Sequence, residues 1–170
     1  MSARLAYAAL FTVVLPALLM AWAIRLDAVL TLPVYGSLAT GGAVALAGVA
    51  LMAMATRDLW VHGGGLPASP FPPERLVTRG VYGIIAHPIY LGAVLAAVGV
   101  SLATRSASGL WIVSPVLALS TIAFVVGYER DFTQRRYGIL PAPLLRLPGN
   151  TDWPPSAIER ATVYVQVFLP

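Results

Sequence analysis

The chain contains no cysteine and no lysine. Without cysteine, disulfide frameworks, thiolate metal sites and thiol nucleophiles are excluded, and no metal centre is expected. Without lysine, the cations are eleven arginines, set against four aspartates and three glutamates. Charge of either sign is scarce: 11% of the 170 residues are charged and 58% are apolar, with a mean hydropathy of +0.79. A water-soluble domain has about 25% charged and about 45–50% apolar residues, so the surplus must face lipid, and a soluble globular enzyme is excluded. The net charge of +4 does not indicate nucleic acid. The arginines are scattered between apolar runs instead of clustering with aromatic residues on a polar face, so no nucleic-acid partner is expected.

Four stretches are free of charged residues: 5–24, 34–56, 88–103 and 110–128. A bilayer core takes about 20 apolar residues per helix, with a range of about 17–25, so the first, second and fourth fit and the third is slightly short. The expected fold is therefore all-α, a polytopic membrane bundle of about four transmembrane helices within a domain spanning 1–150. Ala21-Trp22-Ala23 has the small-residue form of a signal cleavage site. The run before it is long for a signal and another span follows closely, so a retained helix, kinked at Pro16, is expected. Pro88 suits the first position of a helix, where a missing N–H costs nothing, and this puts His87 at the N-cap. Gly36, Gly41, Gly42 and Gly48 in the second span predict a face where another helix approaches closely.

With four spans, the N-terminus, the long middle loop and the C-terminal tail share one side. Arg4, Arg57, Arg75, Arg79, Arg130, Arg135, Arg136 and Arg146 fall there, and Arg25 and Arg105 fall opposite. The positive-inside rule then makes loop and tail cytoplasmic in a multi-pass integral membrane protein. Beyond the fourth span, 129–137 reads as a polar surface helix, with Asp131 and Arg135 as i, i+4 partners and Gly138 as its stop. The proline-rich tail 139–155 reads as extended loop. Residues 157–169 read as the start of a further partial helix, so 151–170 is expected to be a linker leading to a fused domain.

The middle loop, 57–86, is rich in glycine and proline. Its first part, 63–73, reads as a flexible linker or a functional loop. The run Gly80-Val81-Tyr82-Gly83, followed by His87-Pro88-Ile89-Tyr90, is more informative. A glycine turn, a histidine at a helix N-terminus and a tyrosine one turn on make an anion pocket: helix-start amides and the positive dipole end attract a carboxylate or phosphate, and the side chains add directed donors. Taken singly, His87 also reads as a capping or packing histidine, Tyr90 as an interfacial anchor, and Glu129 as a solvated charge at a helix end. All three fall at the same membrane boundary, from two different helices.

The run 76–92, with Gly80, Tyr82, His87, Pro88, Tyr90 and Gly92 in place, followed by Glu129 and by Tyr137-Gly138, resembles the isoprenylcysteine carboxyl methyltransferase family and its relatives among phospholipid methyltransferases. The resemblance covers roughly 65–148. It implies an S-adenosylmethionine site at the cytoplasmic ends of the last helices and the tail, and a lipophilic small-molecule or lipid acceptor entering from the bilayer. By that resemblance His87 and Tyr90 contact the amino-acid part of the cofactor, Glu129 lies by its ribose or amino group, and Tyr82, Arg130, Tyr137 and Arg146 complete the wall. Two positions depart from the family pattern: Ala86 stands where arginine precedes the histidine, and Arg130 where a second glutamate follows the first. Opposite changes of charge suggest that Arg130 supplies from one helix the cation that position 86 lacks. The alternatives are a noncatalytic membrane module that anchors or regulates an attached domain, and, more distantly, a nicotinamide-dependent reductase of the same helical arrangement.

Overall fold

The computed structural model describes residues 6, 9–63, 77 and 79–129, with backbone alone for 128 and 129. Within them the chain is helical throughout apart from its connections. Helix α1 (Leu15–Asp27) follows a π turn (Leu10–Val14), α2 is Leu38–Asp58, α3 is Pro88–Thr104, and α4 (Ser114–Phe124) lies between π turns at Gly109–Val113 and Val125–Glu129. Among the described residues, three runs are long and apolar enough to cross a membrane: Leu10–Asp27, Leu38–Gly63 and Gly109–Gly127. Helix α3 is the shorter apolar helix, as the charge-free run there implies. Large apolar side chains such as Leu18, Leu46 and Leu119 are exposed along all three long runs, as a lipid-solvated surface requires.

The ends differ from the limits of the charge-free runs where hydrogen bonding decides them. The second helix begins at Leu38 and not at Val34, because Ser37 and Thr40 form a capping box: Ser37 Oγ accepts from the Thr40 N–H (3.2 Å), and Thr40 Oγ1 accepts from the Ser37 N–H (3.2 Å). At its other end a π turn, Leu59–Gly63, carries the helix past two charged residues, so Gly63 is buried helix and not the start of a linker. Pro16 and Pro115 each stand second in an α segment that follows a π turn. A proline ring clashes with the carbonyl four residues earlier, and the wider π turn relieves that clash without ending the helix. The disturbance expected at Pro16 takes that form.

Helices α2 and α3 form the core of the bundle along a seam of small residues. A Cβ added at Gly48 would lie 2.5 Å from the Ala96 nitrogen and 2.6 Å from the Gly92 oxygen, and one at Gly92 would lie 2.7 Å from the Gly48 oxygen. Gly41 and Gly99 are in equally close backbone approach, to Ala103 and Ala45. Lipid gives no hydrophobic reward for pairing helices, so such close approach, with its dispersion contacts, is what holds the pair. Gly42, expected on the same face, has no described residue beyond its own stretch of helix within 4 Å of its Cβ position: one residue from Gly41 turns it away from α3.

Arg105, in the left-handed region (φ 55°), ends α3 and returns the chain into α4. Asp27, at the end of α1, locks this turn: its carboxylate accepts from the Ser106 hydroxyl (2.5 Å) and the Ser108 N–H (2.7 Å). The Trp111 indole N–H donates to the Pro33 carbonyl (2.9 Å) in the same region. These contacts tie α1 to the end of the bundle opposite the Gly80–His87 segment. The expected surface helix 129–137 beyond its first residue, the tail and the partial C-terminal helix lie outside the described residues, as do most of 63–73.

Candidate functional site

The site is built where α3 begins. Pro88 is the first residue of the helix and is fully buried, so the helix start is anchored in the bundle interior. His87 is the N-cap, as its place before the proline implies, with φ −129° and ψ 63°, but its side chain makes no capping hydrogen bond. The ring instead stacks on Tyr90, with centroids 5.9 Å apart and planes inclined by 27°. This excludes the capping reading of His87 and couples it to the tyrosine one turn on.

Tyr90 in turn meets Phe124 edge to face, at 6.2 Å and 75°. Phe124 is the last residue of α4 and Tyr90 lies in the first turn of α3, so the two helices run antiparallel with these ends together. The helical run of α4 closes at Glu129, a little beyond Phe124, at the same end of the bundle as His87. Residue selection by polarity misses Phe124, because a phenylalanine in an apolar span carries no signal of its own. Its spacing one turn and a half before Glu129 is the one trace available from sequence.

The turn leading into α3 is held from α2. Gly80–Gly83 forms a single 3-10 turn, entered through Gly80 at φ +62°, a left-handed conformation suited to glycine. The Asp58 carboxylate accepts from the Val81 N–H (2.9 Å), and a Cβ at Gly80 would collide with the same carboxylate oxygen. His62 Nδ1–H donates to the Asp58 carbonyl (3.1 Å), closing the end of α2 around this residue. Tyr82 sits half-buried on the turn. Asp58 carries no signal of its own in the sequence: it stands at the end of a span, 23 positions from its partner, where an isolated acid reads as an ordinary helix-end charge.

Of the seven candidate residues, His87 and Tyr90 are in contact, and Tyr82 is on the adjoining turn. Glu129 is placed at the same end by its backbone. Arg130, Tyr137 and Arg146 lie outside the described residues. Chemically, this end offers an imidazole and a phenol beside first-turn helix amides, an aromatic run able to face a cation, and an acidic residue closing the neighbouring helix.

A helical bundle with three runs able to cross a membrane among the described residues belongs to the class of polytopic membrane proteins. A family model described as phospholipid methyltransferase matches residues 36–139. That is more than half of the chain, and the chain belongs to this family. The match takes in α2, ahead of the part over which the motifs are legible. No curated protein and no solved structure matches the chain at a significant level.

Proposed function

We propose that the protein is an S-adenosylmethionine-dependent methyltransferase of the membrane, acting on an isoprenoid or other lipid-like acceptor. The observation that carries this reading is the Tyr90–Phe124 contact, which brings the start of α3, with His87, to the end of α4 that closes at Glu129. The donor set fits the cofactor chemically: a carboxylate calls for the His87 and Tyr90 donors and the helix-start amides, and an ammonium or ribose hydroxyl calls for Glu129. A sulfonium is favoured by aromatic faces such as those of Tyr90 and Phe124. When bound, S-adenosylmethionine supplies a methyl group whose in-line transfer leaves a neutral thioether, so the reaction asks for alignment and dryness more than for a protein nucleophile. The apolar flanks of α3 and α4 exclude water and admit an acceptor sideways from the lipid. Tyr82, Arg130, Tyr137 and Arg146 complete the wall in this reading, and the arginine distribution supports a cytoplasmic position for this end.

Titration of the purified protein in detergent with S-adenosylmethionine, S-adenosylhomocysteine and NADPH tests the proposal. Binding of the first two without NADPH is expected, and His87→Ala should weaken S-adenosylhomocysteine about ten-fold through loss of a directed donor. NADPH binding alone would instead support a reductase. No binding at all would support the noncatalytic module, which the departures at Ala86 and Arg130 suggest.

A further inference from the structure

We infer that Asp58 is a positioning residue: its carboxylate, presented by α2, sets the conformation of the Gly80–Gly83 turn and through it the approach of the chain to His87 and Tyr90. The inference rests on the cofactor reading above and adds to it a residue from a helix outside the recognisable motifs.

Asp58 is 9% exposed. A carboxylate loses strong hydration on burial, and at the C-terminal end of an α-helix it gains nothing from that helix's dipole, which favours cations there. Its retention therefore calls for donors from elsewhere. The Val81 N–H is one, at 2.9 Å, and it belongs to the first turn of a short 3-10 helix, whose amides have no partner within the turn. Gly80 completes the fit. Its φ of +62° turns the chain so that the Val81 amide faces the acid, and its missing side chain leaves the space that the Asp58 oxygen fills.

The turn then connects to the helix start through Ile84, Ile85 and Ala86, with Ile84 and Ile85 both donating to the Val81 carbonyl (3.1 and 2.9 Å). Val81 is thus bonded on both sides: its N–H goes to α2 and its carbonyl to the segment entering α3. Movement at Val81 passes directly to Ile85, two residues before His87. Because α2 and α3 are locked along their glycine seam, Asp58 holds the turn against a rigid frame.

The test measures S-adenosylhomocysteine affinity of the full chain in detergent, together with hydrogen exchange over 79–91. Asp58→Ala removes the acceptor and should weaken binding about ten-fold or more, with faster exchange confined to the turn. Asp58→Asn keeps an acceptor oxygen and should remain within about three-fold of wild type. Gly80→Ala attacks the contact from the other side and should weaken binding also. Its effect should shrink in the Asp58→Ala background, where the colliding oxygen is gone. Should Asp58→Ala fail to fold, the Asn and Gly80 variants carry the same distinction. If wild type binds the probe and both Asp58→Ala and Gly80→Ala bind equally well, or if Asn falls as far as Ala, the positioning role is overturned while the cofactor reading stands. If wild type itself does not bind, the cofactor reading fails, and the inference falls with it.

Discussion

Replacing Gly48 by alanine and, separately, Gly42 by alanine makes the same chemical change at two positions of one helix, and the two should respond with opposite sign. In a helix interior alanine is favoured over glycine by roughly 0.5–1 kcal/mol, because glycine loses more backbone freedom on folding. At Gly42 nothing among the described residues opposes this gain, since no atom beyond its own stretch of helix lies within 4 Å of the new methyl position. At Gly48 the methyl would stand 2.5 Å from the Ala96 nitrogen and 2.6 Å from the Gly92 oxygen, both backbone atoms that no rotamer change can move. Ordinary contact begins at 3.4 Å, so α2 and α3 must part by roughly 1 Å along the seam. Overpacking of this kind costs about 1–3 kcal/mol, which exceeds the propensity gain. Thermal unfolding in detergent, followed by tryptophan fluorescence, should show Gly42→Ala at or above wild type and Gly48→Ala below it. Equal shifts of the same sign would refute the argument that close backbone approach, and not propensity, holds the two helices together.

At the opposite end, Asp27→Ala removes the acceptor of the Ser106 hydroxyl and the Ser108 amide. It should lower stability by about 1–3 kcal/mol and leave S-adenosylhomocysteine affinity within error, as a melt and a titration on the same sample would show. Phe124→Ala removes the edge contact with Tyr90 and should weaken binding of the same probe by roughly two- to ten-fold, the equivalent of an aromatic pair worth about 0.5–1.5 kcal/mol; unchanged affinity would separate Phe124 from the site. Arg130→Glu should weaken cofactor binding, and Ala86→Arg added to it should restore part of the loss. A double variant no better than the single one would remove the idea that the two departures compensate for each other.

The spans were legible because lipid imposes a blunt rule: every backbone polar group must be satisfied within the helix, and charge is excluded. Runs without charge therefore reveal the helices directly, and Pro88 marks the start of α3 to the residue, since its ring fits only where an amide is dispensable. His87, Tyr90 and Tyr82 stand out as candidates by their place around that start, together with the glycine turn. The facing of each helix was not legible. Lipid and protein interior are equally apolar, so Gly42 and Gly48 look alike in sequence, and only the packed pair shows that one touches α3 and the other nothing. The contacts of Asp58 and Phe124 escaped for a related reason. Each is made with a partner far along the chain, Val81 for the one and Tyr90 for the other. No periodicity connects such positions. They meet because antiparallel helices, one pair of them locked at a glycine seam, bring their ends together, a condition set by three-dimensional packing and not by local residue pattern.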